Sequence, residues 1–428
     1  MVKEQPNTTT TAAKITGRGV VVLDYIGHCL VQIFSCLVRI YYDHPLSKKT
    51  SNDKKNKSNH MTQPQKAMED QHDINNDKND DDDNVVQVYI LLGQSNMLGM
   101  GQVGSSQDDI TKDGTLQCAV HQKGLYPYLL TDQKEWSVSQ NVRNVRVMEN
   151  KQGKMGVYKN EFMTIHDKDL IGPEVGIGHF IENTQAEGDT NNQGNQKIML
   201  LKSCIGNRSL GWDLLPPGSQ RYNYKGQTYA GYKDSPDKWD QDKPKPPPIN
   251  WYAGKQYDTD IANAKAVLKD IGTYYPGATQ YKVVGFFWWQ GDKDRYVEAH
   301  SVHYESNLVR LIQQLRADFD APQAKFVLAT LGQTAMKDDK TPPNDQAIFD
   351  AMLAVDGNAG KYPAFVGNVA TVYSHPLSKG GASNGHYNGN AETYMNVGEA
   401  MGKAMAELVP SNRHNQSRSS RQDGHTSP

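Results

Sequence analysis

Between residues 84 and 410 the sequence alternates short apolar runs with segments of helical periodicity, and this alternation is what most constrains the fold. VVQVYILLG (85–93), KIMLLKS (197–203), YKVVGFFWW (281–289), KFVLATLG (325–332) and PAFVGNVATV (363–372) read as strands buried on both faces. DIANAKAVLKDI (260–271), HYESNLVRLIQQLRADF (303–319), NDQAIFDAMLAV (344–355) and NAETYMNVGEAMGKAMAEL (390–408) read as the helices between and after them. Strands and helices in turn predict an α/β doubly wound sheet with helices on both faces. Ligands of such sheets bind beyond the carboxyl ends of the strands, so the residues that follow each strand are the candidates for chemistry.

The flanks have a different character. Residues 19–42, GVVVLDYIGHCLVQIFSCLVRIYY, are long enough to span a membrane. Asp24, His28, Gln32, Ser35 and Arg39 interrupt them at helical spacing and would form one polar stripe. Three readings stay open: a signal-anchor that attaches the chain to a membrane, an amphipathic helix for an interface or a partner, or a leader outside the functional protein. Residues 45–84 and 411–428 are polar, too poor in apolar side chains to offset the entropy of ordering, and are expected to be disordered. The domain reading is therefore leader and linker (1–83), one globular domain (84–410) and a tail (411–428).

Charge and cysteines exclude some classes. With 46 Lys+Arg against 48 Asp+Glu the net charge is -2, so the basic footprint of a nucleic-acid binder is missing. Cys29, Cys36, Cys118 and Cys204 are too few and too scattered for a disulfide scaffold or a zinc cluster. Cys204 reads as a buried structural thiol.

Four strand ends and loops carry unusual residues. The first strand runs into Gly93-Gln94-Ser95-Asn96-Met97, where a glycine permits a tight turn and a serine sits at a helix start. A serine there is either an N-cap or a nucleophile facing backbone N–H groups. The second runs into Lys202-Ser203-Cys204-Ile205-Gly206-Asn207-Arg208, where Gly206 is either an ordinary turn or a close backbone approach to a ligand. The third runs into Trp288-Trp289-Gln290-Gly291-Asp292-Lys293-Asp294, and the buried amide and carboxylates there need partners. The loop Ser383-Asn384-Gly385-His386 precedes the last helix; His386 could serve as a general base, with His375 as the competing histidine.

Together, GQSNM, KSCIGNRSLGW, WWQGD and the C-terminal loop histidine resemble the SGNH-hydrolase superfamily. More narrowly they are similar to the sialate O-acetylesterase-type carbohydrate esterases, including the family-6 acetylxylan esterases. The likeness spans roughly 85–408. It implies a flavodoxin-like three-layer α/β/α fold with a central parallel sheet, and a serine esterase without metal or cofactor that removes O-acetyl groups from acetylated sugars or polysaccharide. It implies Ser95 as nucleophile, His386 as base, and the Ser95 N–H, the Gly206 N–H and the Gln290 side chain as the oxyanion hole. Gln94, Asn96, Arg208 and Trp289, which flank these positions, are expected to contact substrate.

The superfamily usually has Asp three residues before the histidine, and here that residue is Ser383. Related esterases use an acid in the WWQGE segment, so the expected triad is Ser95–His386–Asp292, with Asp294 or a Ser–His dyad as alternatives. The insert 213–252 is rich in Tyr, Trp and Pro and reads either as a glycan-binding lid or as a loop pinned by its own rings. Glu174 lies in a segment, GPEVGIG, that resembles a family segment near the site and reads as structural or functional. A polysaccharide substrate would suit an extracytoplasmic location. Two other functions stay open: an SGNH esterase for a non-carbohydrate ester, and a carbohydrate-binding relative without catalysis.

Overall fold

The structure, a computed structural model, describes residues 85–105, 109–188, 196–336 and 338–409. The leader segment 19–42, the linker and the tail lie outside the described residues. Among the described residues no helix is long and apolar enough to cross a membrane.

The central sheet has seven strands: β1 (Val85–Gly93), β2 (Val138–Glu149), β3 (Met155–Thr164), β4 (Ile198–Ser203), β5 (Gln280–Trp289), β6 (Lys325–Ala329) and β7 (Val369–Val372). Their order across the sheet is β7-β6-β5-β1-β4-β2-β3. Six run parallel, and β3 is antiparallel to β2 at the edge. The sheet is therefore mixed, where a purely parallel one was expected. The β2–β3 hairpin escapes the sequence pattern because its residues alternate charged and apolar side chains, as an edge with one wet face requires.

Each strand residue chooses a face by parity. Val86, Val88, Ile90 and Leu92 of β1 join Phe286 and Trp288 of β5 in one core, closed by α3 (Lys255–Lys269), α4 (Glu298–Asp318) and α5 (Pro343–Ala354). The opposite face is covered by α2 (Glu174–Gly188) and α6 (Ala391–Leu408), which pack on each other. These two helices approach closely at glycines: a Cβ on Gly176 would lie 2.5 Å from the Glu399 nitrogen, and one on Gly402 3.0 Å from the Ile177 Cα. Helix, sheet and helix make the three layers.

β1 sits at the middle of the sheet between β4 and β5. The chain leaves β1 toward one side and later returns to the other, so a crevice opens at the carboxyl ends of β1, β4 and β5. The three strand ends singled out in the sequence converge there. The insert is not an open loop. Tyr222–Tyr224, Gln227–Tyr229 and Lys238–Asp240 form a small antiparallel sheet of their own.

Candidate active site

β1 ends in a turn that only glycine can make. Gly93 has φ +147°, and a Cβ there would lie 2.4 Å from the Trp289 carbonyl oxygen on the neighbouring strand. The chain then enters a four-residue helix, α1 (Ser95–Leu98), in which Ser95 is the first residue. Its backbone N–H belongs to the first turn, where helix geometry provides no partner.

His386 reaches Ser95 from the far end of the chain. Its Nε2 lies 2.7 Å from the Ser95 Oγ. The competing His375 instead places Nδ1 2.7 Å from the Gly332 carbonyl. His386 sits in a strained loop: His386, Tyr387 and Asn388 have φ of 53°, 53° and 51°. Left-handed backbone costs a non-glycine residue about 1–2 kcal/mol. Packing holds it there. Tyr387 is fully buried, its ring stacks on Trp289 at 5.8 Å, and its hydroxyl accepts the Gly332 N–H at 3.2 Å. Burial lowers the His386 pKa below the usual imidazole value and favours the neutral, proton-accepting form.

Asp292 lies close to this pair, yet its hydrogen-bond donors are other groups. Oδ2 accepts from Gln94 Nε2 at 2.6 Å and Asn96 Nδ2 at 3.3 Å, and Oδ1 accepts from the Ser383 hydroxyl at 2.5 Å. His386 is not among them. Burial raises the Asp292 pKa, opposed by the Ser383 hydrogen bond and the Arg295 charge. The carboxylate thus anchors the start of the histidine loop through Ser383, and Asn96 Nδ2 also donates to the Ser383 carbonyl at 3.1 Å.

Three residues expected against substrate are buried instead. Gln94 and Asn96 serve Asp292, and the Asn96 Oδ1 accepts from the Tyr394 hydroxyl at 3.0 Å. Trp289 is fully buried and donates Nε1 to the Thr330 carbonyl at 3.1 Å. Arg208 alone of the four reaches solvent. Its guanidinium donates to the Gln256 amide at 3.0 Å and lies over the Trp251 ring, and among the described residues no carboxylate pairs with it.

Gly206 lies against the nucleophile: a Cβ built on it would meet the Ser95 Cβ at 3.3 Å. Its φ is not positive, so close approach, not a left-handed turn, explains the glycine. Gln290 is a different matter. It is fully buried, and its Nε2 donates both protons, to the Arg208 carbonyl at 2.8 Å and to Asp294 Oδ2 at 2.6 Å. The Tyr304 hydroxyl donates to its Oε1 at 2.9 Å. No amide proton is left to meet an oxyanion, in contrast to the sequence expectation.

Sequence reasoning missed the supports around the site. Lys202 is fully buried and donates to Glu174 Oε2 at 2.6 Å and to the Leu98 carbonyl at 2.9 Å, the last residue of α1. Burial depresses the Lys202 pKa, and the Glu174 charge opposes the shift. Glu174 therefore acts on the nucleophile helix through a lysine. Cys204 is fully buried, and burial pushes its thiol up to about 12, so it is inert. Most insert rings are used in packing. Tyr222 stacks on His303 at 3.7 Å, and Trp239 packs with Leu215, Ala230 and Ala253. Trp251 lies under the Arg208 guanidinium, 5.1 Å from it.

Residues 237–407 match the family described as carbohydrate esterase, sialic acid-specific acetylesterase. No curated protein matches the chain. Among solved structures, a protein from Arabidopsis thaliana is similar at 14% identity and a TM-score of 0.40, over 74% of this chain and 97% of that one. NanS is similar at 12% identity and a TM-score of 0.36, over 68% of this chain and 78% of its own. A carbohydrate acetylesterase from Xanthomonas citri is similar at 12% identity and a TM-score of 0.37, over 75% of this chain and 55% of its own. Residues 237–407, which bring Gln290, Asp292, Asp294 and His386 to the Ser95 end of β1, are thus similar to carbohydrate esterases, and this match supports a hydrolase acting on ester bonds.

Proposed function

We propose that the protein removes O-acetyl groups from acetylated sugars through an acetyl-enzyme formed on Ser95, with His386 as the proton carrier. The observation that carries this reading is the 2.7 Å contact between Ser95 Oγ and His386 Nε2. His386 takes the Ser95 proton as the oxygen adds to the acetyl carbonyl. The tetrahedral oxyanion is met by the N–H groups of Ser95 and Gly206. The imidazolium returns the proton to the departing sugar hydroxyl, leaving acetate esterified to Ser95. Water, deprotonated by His386, then adds to that ester, and acetate leaves as Ser95 recovers its proton.

Asp292 supports the Ser95–His386 pair at one remove. Its carboxylate is taken by Gln94, Asn96 and Ser383, and it steadies the loop that presents the imidazole. Arg208 is the proposed substrate contact. A solvent-reaching guanidinium whose hydrogen-bond partners among the described residues are neutral suits an acidic sugar carrying the acetyl ester.

The test is hydrolysis of p-nitrophenyl acetate and of acetylated sugars by the full chain, with Ser95→Ala and His386→Ala beside it. Activity in the parent and loss of at least about 10³-fold in both variants is expected. Equal activity in parent and variants would refute it.

A further inference from the structure

Gln290 is one of several groups that hold the Gly206 loop, and the others converge on Asp294. After β4 the chain runs through 204–211 without regular secondary structure. Three of its backbone groups are fastened from β5 and the turn that follows it. Asp294 Oδ2 accepts the Leu210 N–H at 2.8 Å, and Oδ1 accepts the Gly211 N–H at 2.7 Å. Gln290 donates one amide proton to the Arg208 carbonyl and the other back to Asp294. Tyr304 fixes the orientation of that amide with one hydroxyl proton shared between its Oε1 at 2.9 Å and the Gln290 carbonyl at 3.0 Å.

We propose that Asp294 is the positioning residue of the oxyanion site, fastening the loop that carries Gly206 against Ser95. The proposal rests on the esterase reading above. A carboxylate is needed because three N–H donors arrive at its two oxygens. An asparagine would turn its own N–H₂ toward one of the two backbone donors in either orientation, and a donor facing a donor releases that end of the loop. Asp213 Oδ2 holds the neighbouring Ser209 N–H at 2.9 Å, and among the described residues Asp294 is the side chain that accepts the Leu210 and Gly211 N–H groups. Asp294 is fully buried, and the nearest cationic candidate, His300 Nδ1 at 4.0 Å, is kept neutral by burial, which lowers its pKa to about 4. Burial also pushes Asp294 up to about 6, so the clamp is fully charged only above that pH.

The experiment uses the full chain and compares parent, Asp294→Asn and the milder Tyr304→Phe on p-nitrophenyl acetate. Active sites are titrated with a fluorophosphonate, so that kcat refers to folded enzyme alone. Asp294→Asn is expected to lower kcat about 10²-fold with KM within a factor of two, because an oxyanion donor acts in the transition state. Tyr304→Phe is expected to lower kcat several-fold in the same pattern, and it keeps the test open if Asp294→Asn does not fold. A purely structural role would reduce the titratable fraction and leave kcat per site unchanged. That result, in Asp294→Asn or, if it does not fold, in Tyr304→Phe, overturns the proposal while the esterase reading stands. A parent that neither hydrolyses the ester nor reacts at Ser95 overturns both.

Discussion

The Ser383 hydroxyl donates to the Asp292 carboxylate at 2.5 Å, so the residue three before His386 draws on a charge delivered from the end of β5. The sequence resemblance leads one to expect a carboxylate at 383; in the structure residue 383 is a serine bonded to the carboxylate of Asp292. The consequences differ from those of a triad acid. In a triad the acid touches the imidazole, and changing it to the amide costs about 10⁴ in kcat. Here Asp292→Asn keeps the shape and leaves the Ser95–His386 contact in place. A loss of about tenfold in kcat, equivalent to about 1.4 kcal/mol, is expected on an acetyl ester.

Restoring the superfamily residue should harm the enzyme. Ser383→Asp would set a second carboxylate against Asp292 in a buried position, which like charges resist. The single variant is expected to lose activity and melt earlier. Ser383→Asp combined with Asp292→Asn should recover much of both, and a double-mutant cycle of thermal midpoints and kcat reads the coupling. Additive losses would mean the two positions do not share the proton seen between them.

The pH profile follows from the buried imidazole. Burial lowers the His386 pKa, and only the neutral form can take the Ser95 proton. kcat/KM should therefore rise with pH and level off with an acid-side midpoint below about 6.5. A midpoint above that value would indicate a carboxylate stabilising the imidazolium directly. The stability effect has the matching sign. The unfolded chain takes up the proton first as pH falls through the ordinary histidine value, so His386 withdraws stability on acidification.

Glu174 is expected to matter for stability more than for chemistry. Glu174→Gln leaves the Lys202 ammonium buried beside the Leu98 carbonyl without its counter-charge. Breaking a buried pair in this way costs roughly 3–5 kcal/mol, to be read from denaturant midpoints. A change under about 1 kcal/mol would show that the pair is not buried in solution.

Gly206→Ala probes the approach of the β4 loop to the nucleophile. The added methyl would press on the Ser95 Cβ from 3.3 Å. We expect kcat to fall by about 10²-fold, the scale of one oxyanion donor displaced, with little change in thermal midpoint. An unchanged kcat would place the donor elsewhere.

Much of this was legible in the chain. The five buried strands announced themselves because parallel strands covered on both faces are continuously apolar. Ser95, Gly206 and His386 were candidates by their places at strand ends and in a Gly/Asn-rich loop, with the alternatives left open, and only the resemblance attached roles to them. The β2–β3 hairpin did not, since one wet face dilutes its apolar pattern with Arg143, Arg146 and Lys159. The roles of Gln94, Asn96, Trp289 and Gln290 were misjudged for a different reason. A polar residue beside a nucleophile can face the substrate or support the residue that does, and sequence spacing does not record which way an amide points. The serine at 383 was the available signal: a hydroxyl where a charge is expected implies a charge supplied from elsewhere.

The most direct measurement is the mass of the full chain after reaction with a fluorophosphonate, with the adduct located by peptide mapping. One adduct is expected, on Ser95, with its formation abolished in His386→Ala and only slowed in Asp292→Asn. An adduct on another residue, or labelling of Ser95 that persists unchanged without His386, would contradict it.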